Sequence, residues 1–255
     1  MNIGVIGAGQ LGGTLATWCA ENGHDVAVTS RHPDRLTDLV EHGDGHIRAM
    51  TIPEAAAFGD VLFFAPNWES AREAIDLAHD AMAGKVVIDA TNPVPILTSA
   101  MSDAMSDPMS STTDPSGLGS FSPGFPSTLD IPSFLRVPEA PGTAHPTADL
   151  TTSGFEQLIA LAPEAHWVKA FNTISTEVLD RRRGHDPLLA EYVCTDQRDA
   201  RDAACHIIQE LGFAPFFAGG PEAARLTETG GPLQMCEVDV KDAKDVLAAA
   251  LATVH

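Results

Sequence analysis

The 255 residues hold 35 Asp and Glu against 15 Lys and Arg, a formal charge of −20. Nucleic acid and anionic membranes are bound through basic surface, so the balance argues against both as partners. The hydrophobic share of 44% supports a real core, and no apolar run approaches the length of a membrane span.

This length suits one large domain, or a domain with a small lobe. Only four of the basic residues are Lys (Lys85, Lys169, Lys241, Lys244). Such a surface fits a protein working in concentrated salt, where screening removes self-repulsion. Cys19, Cys194, Cys205 and Cys236 form no metal-binding spacing. The first strand begins almost at once, with no basic leader. A cytoplasmic protein with reduced thiols is therefore expected.

The chain opens with a strand-like run at 3–6, then Gly7-Ala8-Gly9-Gln10-Leu11-Gly12, an amphipathic helix over 11–21 and a second strand over 26–29. A GxGxxG following a strand and opening a helix is the setting for a bound pyrophosphate. Gly7 permits the tight turn, Gly9 lets the backbone approach the phosphates, and Gly12 lets helix and strand pack closely. The positive helix end near Gln10 attracts the anion. The second strand ends in Thr29-Ser30-Arg31, with Arg35 one turn on. An NAD site usually has a carboxylate there for the ribose hydroxyls. Arg instead suits a phosphate, so NADP is the expected cofactor. Asp34 partly offsets that positive patch.

Further strands are expected at 47–50, 61–65, 86–90, 167–171, 192–195 and 215–218, with helices at 33–42, 68–82, 155–162, 198–211 and 241–253. Single helices between strands imply an α/β, Rossmann-type, doubly wound parallel sheet, with the ligand beyond the carboxyl ends of the strands. The expected division is a Rossmann domain over 1–175 and a small C-terminal substrate lobe over 176–255. The stretch 97–150 interrupts the pattern. Ten of the 18 prolines lie between Pro93 and Pro146, with Arg136 as the single Lys or Arg. A long Pro/Ser-rich insertion is expected here, docking through Phe121, Phe125, Leu129, Ile131, Phe134 and Leu135. Order resumes at Ser153-Gly154-Phe155-Glu156, a capping-box spacing.

Three loops at strand ends carry the candidate chemistry. They are Ala65-Pro66-Asn67-Trp68-Glu69, Ala90-Thr91-Asn92-Pro93 and Lys169-Ala170-Phe171-Asn172-Thr173. Asn92 and Asn172 are suited to orient a carboxamide, with Pro66 and Trp68 as apolar wall. Elsewhere, His42 and His46 have a metal-compatible spacing, but the glycines between them point to a turn, and no metal is expected. Arg181, Arg182 and Arg183 read either as a solvated loop or as a site for a phosphate or polyanionic tail. No GxSxG elbow supports nucleophilic hydrolysis.

The motifs IGVIGAGQLGGTLA, TSRHPDRL, PNWESA, GKVVIDATNP, TSGFEQLIALAP and WVKAFNTIS, with a weaker match at AGGPEAARLTE, bring a family into view. The chain resembles the NADPH-dependent coenzyme F420 reductases and their dinucleotide-binding relatives, over nearly everything except about 97–150. The resemblance implies NADP in the strand-end crevice and a deazaflavin, coenzyme F420, as co-substrate stacked on its nicotinamide. Carried onto this sequence, Gln10, Leu11, Ser30, Arg31 and Arg35 look like the NADP contacts. Direct hydride transfer between rings needs no nucleophile, so no catalytic residue is assigned. The chain departs from the family at Asn67, an extra residue between Pro and Trp, in the long insertion, and around 229–235. Expected partners are thus the cofactor and its co-substrate, with a homodimer left open. The alternatives are a reductase of an imine, ferric or flavin acceptor on the same scaffold, or a non-catalytic NADP sensor.

Overall fold

Strands and helices alternate from the first residues in the computed structural model, which describes residues 1–31, 36–93 and 152–253. Strand β1 (Asn2–Ile6) feeds helix α1 (Gln10–Glu21) and strand β2 (Asp25–Thr29). Helix α2 (Leu36–His42) and strand β3 (Ile47–Ala49) follow, then α3 (Ile52–Phe58), β4 (Val61–Phe64), α4 (Trp68–Met82) and β5 (Val86–Asp89). After residues 94–151 come α5 (Gly154–Leu161), β6 (His166–Lys169), α6 (Thr176–Arg182), β7 (Ala190–Cys194), α7 (Arg198–Glu210) and β8 (Ala214–Gly219). The described chain ends with a 3-10 turn (Pro221–Ala223), α8 (Ala224–Thr227) and α9 (Ala243–Ala252). The insertion, its expected docking segment and Arg35 lie outside the described residues.

The strands form one sheet in the order β3-β2-β1-β4-β5-β6-β7-β8. Register aligns their carboxyl ends: Ile6 pairs with Thr29 and Phe64, Phe64 with Asp89, and Asp89 with Lys169. Strand order reverses at β1, which is where an open α/β sheet leaves a crevice. Alternate strand residues serve two cores. Val5, Phe63, Ile88 and Val168 pack with Leu15 and Trp18 of α1 and Ile207 of α7. Ile6, Phe64, Val87 and Trp167 pack with Ala56 of α3, Ile75 of α4 and Phe155 of α5. Burial on both faces explains the nearly continuous apolar strands.

The sheet departs from the fully parallel expectation at one place. β7 is antiparallel to β6, while β7 and β8 are parallel. The chain turns at Phe171, whose φ is 61°, and α6 stays at the crevice edge, where Gln10 donates to Glu177 at 2.6 Å. The chain therefore does not return to the start of β6 before entering β7. The boundary expected near residue 175 falls within this continuous sheet.

Local signals explain the helix starts. Ser153 accepts from the Glu156 amide at 3.0 Å and donates its own amide to Glu156 at 2.7 Å, the reciprocal cap expected from the sequence. Thr51 and Glu54 make the same kind of contact at α3, a helix the sequence reading missed. Lys85 closes the other end of α3, donating to the carbonyls of Ala56 and Gly59 at 2.7 Å.

Candidate functional site

The three glycines occupy three different environments. Gly7 has φ 97°, and a Cβ there would lie 2.6 Å from the backbone nitrogen of Pro66. A Cβ on Gly12 would stand 2.2 Å from the carbonyl oxygen of Gly7. Gly9 is the reverse: a Cβ would meet nothing within 4 Å. It flanks α1, and among the described residues no side chain caps that helix end. The first-turn amides are thus available to an anion, and the space beside Gly9 is a cradle that a side chain would fill.

Two crevices meet over this turn. The first, of about 520 Å³, is lined by Gly7, Gly9, Gln10, Ser30, Arg31 and Pro66 among others. The second, of about 500 Å³, is lined by Gly9, Gln10, Leu11, Pro66, Trp68, Thr91, Asn92 and Thr176 among others. Gly9, Gln10, Ala65, Pro66 and Asn67 belong to both. The two crevices thus adjoin along the strand ends, Arg31 lining the first and Asn92 the second.

Most predicted site residues converge on these crevices. Gly12 is the spacer beneath them. Asn172 lines neither crevice. It is 4% exposed, and its Nδ2 donates to the Thr227 carbonyl at 3.0 Å and to Asn92 Oδ1 at 3.1 Å. Asn92 returns a bond from Nδ2 to the Asn172 carbonyl at 2.7 Å. Asn172 thus holds Asn92 from behind.

Several residues were not read from the sequence. Ser70, Glu73, Ala74 and Leu77 close the first crevice from α4. Their three- and four-residue spacing puts them on one helix face, which was the available signal. Behind the second crevice lies a buried ionic group. Lys169 Nζ donates to Asp89 Oδ2 at 2.7 Å and to the Thr91 carbonyl at 2.5 Å, and lies 3.5 Å from Glu228 Oε1. Glu191 is also fully buried. Its Oε1 accepts from the Phe171 amide at 2.5 Å, while Oε2 has no partner among the described residues. Burial pushes its carboxyl up to about 8, a rise that the Phe171 amide partly counters.

The other constellations are structural. Arg182 pairs with Glu237 and with Asp239 at 2.5 Å, and Arg181 reaches Glu237 at 2.7 Å. Arg183 binds Glu21 at 2.5 Å and lies over the Trp18 ring at 4.9 Å. The basic triplet therefore closes α6 and pairs with acidic groups of its own chain, with the Arg181 side chain still largely exposed. His42 Nδ1 lies 2.6 Å from the Asp38 carbonyl. Among the described residues no group of three His, Cys, Asp or Glu could hold a metal, and no helix is long and apolar enough to cross a membrane.

Comparison with known proteins adds a family match over residues 2–93 and a fold. Residues 2–93 match the family described as NADP oxidoreductase, coenzyme F420-dependent. Over 229 residues the chain is 25% identical to metalloreductase STEAP3 of Rattus norvegicus, covering 89% of this chain and 35% of that protein. The chain thus spans about a third of the length of that relative. A hypothetical protein from Sinorhizobium meliloti superposes with a TM-score of 0.65 at 21% identity, covering 94% of this chain and 95% of the other. A candidate F420-dependent NADP-reductase from Arthrobacter sp. FB24 gives 0.61 at 22% identity, covering 88% and 87%. At these identities the structural likeness is one of fold.

Proposed function

From the match of residues 2–93 to the family described as NADP oxidoreductase, coenzyme F420-dependent, we propose that the chain transfers hydride between NADP(H) and a deazaflavin, coenzyme F420. The observation that carries this reading is the pair of crevices that share the turn at Gly9, with Arg31 lining the first and Asn92 the second. The pair lies where strand order reverses, the place a dinucleotide takes in an open α/β sheet.

The residues fit NADP. The space at Gly9 and the uncapped start of α1 would receive the pyrophosphate. Ser30 and Arg31 would hold the 2′-phosphate, since no carboxylate stands at the end of β2. Arg35, four residues further along the sequence, is assigned to the same phosphate. Leu11, Pro66 and Trp68 would wall the nicotinamide end, and Asn92 would bind its carboxamide. Asn172 serves by fixing Asn92. The cofactor supplies the hydride itself. The chain contributes placement of one ring against the other and exclusion of water, with no side-chain acid or base required.

The test is direct. NADPH carrying deuterium on the nicotinamide is incubated with F420, and label is expected in the reduced deazaflavin. Label confined to solvent-exchangeable positions would defeat direct transfer. The similarity to a metalloreductase favours a second reading, in which the acceptor is a ferric chelate or a flavin. Parallel assays with FMN and ferric chelates decide between them. Tight NADPH binding with no turnover of any acceptor would favour the sensor reading.

A further inference from the structure

Three ionisable side chains meet in the core behind the second crevice. Asp89 and Lys169, the last residues of adjacent strands β5 and β6, have fully buried side chains, and the Glu228 side chain is 6% exposed. None of the three lines either crevice. Buried ionic groups carry a desolvation penalty that apolar side chains of similar volume avoid. Stability alone therefore does not account for this arrangement.

Its hydrogen bonds converge on one crevice residue. Asp89 Oδ1 accepts from both the amide and the hydroxyl of Thr91, at 2.9 and 2.7 Å. Lys169 donates to the Thr91 carbonyl at 2.5 Å. Every polar group of Thr91 is thus gripped from within the core, and Thr91 lines the second crevice beside Asn92. The other arm reaches the opposite wall. Glu228 accepts from the amides of Gly154 and Phe155 at 2.9 and 2.8 Å, and so holds the start of α5. A Cβ on Gly154 would stand 2.9 Å from the Trp68 ring and 3.0 Å from Pro93. Lys169 sits between the two arms.

We propose that Lys169, bridging Asp89 and Glu228, is a positioning residue that sets the backbone of Thr91 and Asn92 against Trp68 and so fixes where the nicotinamide lies. The proposal rests on the dinucleotide reading of the two crevices. Lys169 touches neither cofactor nor substrate. It acts through Thr91, and its effect is confined to the nicotinamide end, because the side-chain bonds of the ionic group reach Thr91, Gly154 and Phe155, none of which lines the first crevice.

The test compares two ligands on the full chain: NADPH, and 2′-phospho-ADP-ribose, which lacks the nicotinamide. Lys169→Met keeps the stem length and removes the charge. NADPH affinity should fall at least about tenfold while the nicotinamide-free ligand binds within about twofold of wild type. Energy transfer from tryptophan to bound NADPH should change as well, since Trp68 lines that crevice. Should Lys169→Met fail to fold, Thr91→Val removes one grip and leaves the ionic group intact. A selective loss of about threefold for NADPH is then expected. Equal weakening of both ligands, or no change in either, overturns the proposal. Failure of the wild-type chain to bind either ligand overturns the dinucleotide reading itself, and the proposal with it.

Discussion

Gly12 stands beneath the carbonyl oxygen of Gly7 at a distance that admits no side chain: an added Cβ would lie 2.2 Å from that oxygen. Gly9, between them, has open space instead. The two positions should separate folding from binding. Gly12→Ala must push α1 off β1, at a cost of about 3 kcal/mol, and lower the thermal midpoint by roughly 10 °C. Gly9→Ala should leave the midpoint almost unchanged and weaken NADPH at least about tenfold by filling the cradle. Calorimetry and a binding titration on the two variants check both halves. A Gly9→Ala protein with unaltered NADPH affinity would remove the pyrophosphate from this turn.

Burial of Glu191 predicts a pH dependence of stability. Its carboxyl is raised from 4.5 to about 8 in the folded chain. Between those values the folded state binds the proton that the unfolded state has released. Stability should therefore fall as pH rises through this window, by at most ~1.4 kcal/mol per pH unit, and level off above it. Glu191→Gln should flatten the fall and raise the midpoint at pH 8. Urea titrations of both proteins from pH 4.5 to 9 are the measurement, and parallel curves would mean that Glu191 is ionised in the native state.

The sequence made the β1–α1–β2 unit legible because each glycine answers a separate steric demand, and strand residues buried on both faces leave little else but apolar runs. Helix α4 was read with its observed limits, its buried Ala71, Ala74, Ile75 and Ala78 recurring at helical spacing. Helix α3 escaped because Ala55, Ala56 and Ala57 carry no periodicity, leaving Thr51 and Glu54 as the signal. The buried ionic group was hidden for a different reason. Asp89 and Lys169 are 80 residues apart, and a charge at the end of an apolar strand reads as a strand ending in water. Only the sheet register, which sets Asp89 against Lys169, reveals them as partners. Asn172 was read from its loop as a crevice amide suited to orient a carboxamide. The positive φ at Phe171 and the bonds to Thr227 turn its side chain inward.

Salt should stabilise the chain. A charge of −20 with four Lys produces self-repulsion at low ionic strength that added ions screen. The thermal midpoint is expected to climb by several degrees from dilute buffer to molar KCl. A flat or falling midpoint would sever the acidic composition from salt adaptation.

Cofactor choice is expected to turn on Arg31. It lies beside Ser30 in the first crevice, where an acid would otherwise hold a ribose diol. A charge-assisted hydrogen bond contributes roughly 1.5–3 kcal/mol, or about 10–150-fold in affinity. Arg31 is exposed, and Glu73 lines the same crevice, so the lower end of that range applies. NADPH should then bind about tenfold more tightly than NADH at low salt, and the gap should narrow as salt rises. Arg31→Ala should weaken NADPH and leave NADH nearly unchanged. Arg31→Asp should shift preference toward NADH, since it removes the phosphate partner and supplies an acceptor for the diol. Glu73→Gln relieves the opposing charge and should strengthen NADPH more than NADH. Titration of the two cofactors against all three variants at low and high salt tests the set. Equal weakening of both cofactors by Arg31→Ala would give Arg31 a role at the adenine or in the fold, and the 2′-phosphate would need another site.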